Sequence, residues 1–110
     1  MSLRKYAMLL AIAICGPARP AGTGEVEALR LQSLAATCAQ CHGTDGRAPP
    51  GSAVAGLAAM PAPYLAEQMK AFRREDRPGT VMPQLAKGFS DAQIERLATY
   101  FAQVAPGTGP

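Results

Sequence analysis

The sequence predicts an all-α domain of about three main helices, and three observations carry that expectation. Strong helix formers are interleaved with apolar residues at helical spacing near residues 25, 63 and 90. No stretch alternates with the period of a strand, and no internal repeat is present. The chain has 110 residues, no tryptophan, three tyrosines and three phenylalanines. That is one small domain with little aromatic material, and such domains usually need a staple such as a metal, a disulfide or a bound group.

The first element is a leader rather than part of the domain. Arg4 and Lys5 precede an apolar run from Tyr6 to Cys15, followed by small residues and prolines. This is the layout of a secretory signal, with a core too short to span a membrane. Residues 1–24 are read as the signal segment, cleaved after Ala18 or at a site up to about Gly24, with an uncleaved anchor as the alternative. Cys15 leaves with it, because bulky Ile14 suits a lipoprotein site poorly. The formal charge of +3 then falls to near parity, which leaves nucleic-acid binding no electrostatic footprint. Stable membrane insertion is not expected after cleavage.

The domain itself is assigned to residues 25–105. Glu25 to about Ala39 lacks Gly and Pro and carries acids in its first turn, which predicts a helix whose end delivers two cysteines. Gly43 to Pro61 is rich in Gly, Pro and Ala and has no period, so it predicts a long functional loop. A second helix is expected from about Pro63 to Arg74, with Leu65, Met69 and Phe72 on one stripe. After a loop around Met82, the last helix opens with a Ser90/Gln93 capping box and a Phe89/Ile94 staple. Ile94, Leu97, Ala98, Phe101 and Val104 form its apolar face, and residues 106–110 read as a flexible tail.

The stretch Cys38-Ala39-Gln40-Cys41-His42 holds the only histidine and two of the three cysteines. On a helical turn both sulfurs project from one side, and the imidazole follows at once. That arrangement suits two thiols adding to one porphyrin edge, with an imidazole beneath the iron; C-x-x-C-H is the haem-attachment signature. A thioredoxin-like pair would want a βαβ setting. Zinc would need a further ligand, and no other Cys or His follows. A plain disulfide is compatible with an exported chain. Haem c, covalent through Cys38 and Cys41 with His42 on the iron, is the preferred reading.

A methionine opposite His42 would favour electron transfer. Met69 lies on the apolar stripe of the second helix and reads as core. Met60 and Met82 both precede proline, which biases each to extended backbone and makes each a loop candidate. Met82 follows the second helix, can return on the other haem face, and is bracketed by Gly79 and Gly88. It is the preferred distal ligand, with Met60 or an open sixth position as alternatives.

With CAQCHGTDG, YLAEQMKAFR and TVMPQLAKGFSDAQIERLATYFA in place, the chain resembles a class I cytochrome c over residues 25–105. Within the class it is similar to the cytochrome c4 and c553 type and, in AAMP and TVMPQLAKGFS, to the cytochrome subunit of flavocytochrome c sulfide dehydrogenases. The resemblance implies first and last helices that cross, one covalent haem, and Cys38, Cys41, His42 and Met82 as its attachments. Relatives often carry a proline about a dozen residues after the histidine. Ala53 and Val54 stand there instead, which leaves open the carbonyl that orients His42.

The function expected is one-electron transfer in the periplasm by a carrier that is not itself a catalyst. Three settings follow: a haem subunit accepting electrons from an FAD-bearing, sulfide-oxidising flavoprotein; a free c4- or c553-like carrier feeding a terminal oxidase or reductase; or a haem enzyme or sensor with a vacant sixth site. Arg73, Arg74 and Arg77 read as a solvated helix end or a docking edge, and Lys87 as another docking charge.

Overall fold

The computed structural model describes residues 20–107 together with residue 16. The leader up to residue 19, residue 16 apart, and the end of the tail lie outside the described residues, so the signal-peptide reading falls almost wholly there. Among the described residues every regular element is helical: α1 (Thr23–Ala36), α2 (Ala39–His42), a 3₁₀ turn (Thr44–Gly46), α3 (Ala62–Arg73), α4 (Met82–Ala86) and α5 (Asp91–Gln103). No helix among them is long and apolar enough to cross a membrane.

The centre is α5, which packs against α3 and α1, while α3 also packs against α4. Four of the five residues expected on its apolar face, Ile94, Leu97, Ala98 and Phe101, are buried, joined by Leu65 and Ala66 from α3 and Ala35 from α1; Val104 falls outside the helix, as its extended C-cap, and is only half-buried. The start of α5 matches the sequence expectation closely. Ser90 Oγ accepts the Gln93 N–H at 3.2 Å, and Gln93 Oε1 accepts the Ser90 N–H at 2.9 Å, which satisfies two of the donors a helix start leaves open. Phe89 packs against the cluster that contains Ile94, as a staple requires.

Two elements differ from expectation. Helix α1 begins at Thr23, inside the segment assigned to the leader, and ends at Ala36 rather than near Ala39. Thr37 terminates it, its hydroxyl donating to the Leu34 carbonyl at 2.7 Å while the Cys38 N–H turns to the Ala35 carbonyl at 3.0 Å. The cysteines therefore sit on a separate turn, α2. The second correction concerns Met82, expected in extended backbone because Pro83 follows. It opens α4 instead, with Pro83 at a position whose missing N–H would have had no helical partner, and with Gln84 and Leu85 bonding back to the Val81 carbonyl at 3.0 and 3.1 Å.

Ion pairs cross the helix interfaces. Arg96 on α5 reaches Glu27 on α1 at 2.9 Å, Lys70 on α3 pairs with Glu95, and Arg73 pairs with Asp91 while also donating to the Phe89 carbonyl at 3.1 Å. The Arg73 guanidinium, by hydrogen bond and by charge, holds the Asp91 carboxyl below its ordinary range, with Lys70 adding to the effect. A lowered folded pKa contributes stability above the ordinary carboxylate value and loses it as pH falls through the folded value. Thermal midpoints of the holoprotein measured below about pH 4 should accordingly fall less steeply for Asp91→Asn than for the parent.

Candidate haem site

The site is built on α2 and the loop that follows it. Cys38 caps α2, Cys41 and His42 form its last turn, and their backbone is tied down by Cys41 and His42 N–H groups bonding to the Cys38 carbonyl at 3.4 and 3.0 Å. The two thiols are not bonded to each other. Cys38 is half-buried against the core cluster and Cys41 is exposed. Burial pushes the Cys38 thiol above its ordinary value, against a smaller opposing effect from Thr37, so it stays protonated at neutral pH.

His42 is oriented by a single backbone contact. Its Nδ1 lies 2.6 Å from the Ala55 carbonyl oxygen. A carbonyl only accepts, so the proton resides on Nδ1 and the Nε2 lone pair is left free. A neighbouring acceptor of this kind fixes ring tautomer and direction and raises the basicity of the coordinating nitrogen. The sequence did not reveal this residue: the role belongs to a main-chain oxygen, and any side chain at position 55 would offer the same atom.

The long loop that carries Ala55 is held at both ends. The Gly46 carbonyl accepts the N–H groups of Leu57 and Ala58 at 2.7 and 3.1 Å, and the Phe101 carbonyl at the end of α5 accepts the Ala59 N–H at 2.9 Å, with Ala59 at φ 60°. Gly46 itself has φ 73°, and a Cβ there would lie 2.8 Å from Leu57 and 2.9 Å from Phe101. Only glycine allows that approach. On the far side, Tyr100 donates to Asp45 at 3.1 Å, Arg47 pairs with Asp45 at 3.1 Å, and Arg47 Nε donates to the Ala105 carbonyl at 2.9 Å.

Of the candidate residues, α2 brings Cys38, Cys41 and His42 together, while Met82 is supplied by α4. The other two methionines have another use: Met60 and Met69 both pack against the core cluster. Met82 is half-buried and stands outside that cluster. Among the described residues no group of three or more His, Cys, Asp and Glu side chains converges as a metal site, which removes support for zinc. Two thiols on one turn and an imidazole with a free Nε2 fit an iron porphyrin bound through its vinyl edge.

Comparison with known proteins agrees with this class of site. The chain belongs to the cytochrome c family as a class I c-type cytochrome, and an electron-transfer protein with covalent haem c is what that membership defines. The family model that matches, over residues 31–101, is described as cytochrome c oxidase, cbb3-type, subunit III. A thiosulfate dehydrogenase electron acceptor of Thiomonas intermedia (strain K12) is 40% identical over 76 residues, covering 69% of this chain and 35% of that protein. The cytochrome subunit of sulfide dehydrogenase of Chlorobaculum tepidum is 31% identical over 93 residues, covering 84% and 83%. Cytochrome c4 of Pseudomonas aeruginosa is 32% identical over 102 residues, covering 93% and 48%. The chain thus spans about a third of the Thiomonas protein and half of the cytochrome c4.

Gly46→Ala should destabilise the holoprotein by roughly 1–3 kcal/mol, through positive φ and overpacking against Phe101. Thermal unfolding followed at the haem absorption checks it, with Gly107→Ala, whose Cβ would approach the Arg47 side chain no closer than 3.4 Å, as the mild comparison.

Proposed function

We propose that Cys38 and Cys41 hold the haem as thioethers, that His42 Nε2 and Met82 Sδ are its axial ligands, and that the protein works in the periplasm. There it accepts electrons from a flavin-bearing dehydrogenase that oxidises a reduced sulfur compound. The observation that supports this most directly is the His42 Nδ1–H bond to the Ala55 carbonyl, since it leaves one nitrogen free to coordinate and fixes where it points. Once bound, haem c supplies a reversible one-electron couple. The chain's part is to keep both ligands in place in either oxidation state, to exclude water with the core beneath Cys38, and to add each thiol with its proton across a vinyl group. Export fits this reading, because thioether formation needs the two thiols reduced and handed to haem outside the cytoplasm.

Two similarities support the sulfur setting: relatives named as a thiosulfate dehydrogenase electron acceptor and as a cytochrome subunit of sulfide dehydrogenase. A second reading, a free carrier delivering electrons to a terminal oxidase or reductase, is favoured by the match to a family described by an oxidase subunit.

Met82→Ala should retain covalent haem, lose the sulfur-to-iron charge-transfer band of the ferric protein and lower the reduction potential; an unchanged band and potential would refute the Met82 assignment. The setting is tested by purifying the protein gently from its source and recording absorption before and after adding sulfide or thiosulfate. Co-purifying flavin with haem that sulfide reduces supports a flavoprotein partner, reduction by thiosulfate through a flavin-free partner supports a thiosulfate dehydrogenase, and haem c alone that neither compound reduces supports the free carrier.

A further inference from the structure

The segment from Glu75 to Val81 joins α3 to the turn that opens with Met82, and it closes around the Phe72 ring of α3. The chain reverses at Glu75, at φ 63°, with the Glu75 N–H bonding to the Phe72 carbonyl at 3.0 Å and the Asp76 and Arg77 N–H groups to the Ala71 carbonyl at 3.0 and 3.3 Å. This brings the Arg77 guanidinium over the Phe72 ring, 4.5 Å from its centroid, while its Nη1 donates to Gln68 Oε1 at 2.5 Å. Gly79 lies against the same ring: a Cβ there would be 3.0 Å from Phe72 Cε1 and 3.1 Å from Pro83 Cδ. Pro83 is buried and directly follows Met82.

Other basic side chains in this region are engaged differently. Arg74 pairs with Glu67 and Asp76, and Lys87 pairs with Glu75 at 3.1 Å. Among the described residues Arg77 makes no ion pair; its charge is directed onto an aromatic face and a neutral amide. A cation held in this way is oriented rather than merely neutralised, because the planar guanidinium stacks and donates at once.

We propose that Arg77, stacked on Phe72 with Gly79 closed against the ring, is a positioning residue that clamps the Met82 turn, and so sets how firmly the methionine holds the iron. This rests on the reading of Met82 as the distal ligand. Loosening the clamp lets the methionine leave more readily, and an external ligand then binds the ferric iron more tightly.

The test measures imidazole binding to the ferric holoprotein by absorption, together with the sulfur-to-iron charge-transfer band and the reduction potential. Arg77→Ala should keep covalent haem, bind imidazole about three- to tenfold more tightly than the parent, and show a lower potential. Arg77→Lys should recover part of the difference, whereas Arg30→Ala, which removes an exposed ion pair on α1, should behave as the parent. Gly79→Ala forces the ring contact apart and should move imidazole affinity in the same direction, which keeps the test open if Arg77→Ala matures poorly. Parent-like imidazole affinity and potential in both Arg77→Ala and Gly79→Ala, even with a lowered thermal midpoint, would reduce the clamp to a structural contact and overturn the proposal. Met82→Ala separates the two claims. If it binds imidazole no more tightly than the parent, the ligand assignment fails and the clamp with it; if it binds tightly while the clamp variants do not, the clamp alone fails.

Discussion

The approach of Phe101 to Gly46 is the constraint on which the rest of the molecule depends. Phe101 is the largest fully buried side chain of the core, its ring stops any side chain at Gly46, and its carbonyl takes the Ala59 N–H. One residue of α5 therefore holds two points of the loop that follows His42. Because the Gly46 carbonyl binds Leu57 and Ala58 in turn, Ala55 is delivered to the imidazole by a closed backbone circuit rather than by side-chain packing. A burial event at the C-terminal helix thus fixes the hydrogen bond that orients the His42 imidazole.

The core is correspondingly lopsided. Its buried residues are drawn chiefly from α5 and α3, with Ala35 alone from α1, while Val54, Tyr64, Val81 and Leu85 remain largely exposed in the polypeptide. The segments carrying these residues follow His42 or surround Met82 in the chain. A small domain with so little aromatic content has its packing completed by the covalent haem that its family carries. The turns that carry Cys38, Cys41, His42 and Met82 are four and five residues long, too short to be stable as isolated helices.

What could be read from the sequence was what side chains announce. The capping box at Ser90 and Gln93, the apolar face of α5 and the C-x-x-C-H turn each have a chemical signature; the box and four of the five face residues stand as expected, while the cysteines lie on a turn of their own rather than at the end of α1. The end of α1 departs from the expectation because helix propensity continues past Ala36, whereas the chain is stopped by the local bond of the Thr37 hydroxyl. The backbone of Met82 departs from it because the bias imposed by a following proline is weaker than the fit of proline to a first helical turn. Ala55 was invisible in principle, since its contribution is a carbonyl. The ring contact of Arg77 was equally hidden, because a run of charges near a helix end reads as solvated surface until the reversal at Glu75 is known.

The pairing of charges has a consequence for how the molecule meets other proteins. Every described Lys and Arg except Arg77 lies beside a carboxylate, so most of the charge on the described polypeptide is paired at short range. Beyond a Debye length little remains to pull an oppositely charged protein inward. Encounters are then governed by diffusion and collision geometry, and discrimination between redox partners falls to the short-range match of shape and dehydration once two surfaces have already touched. A carrier of this kind trades speed of capture for indifference to the salinity of its surroundings.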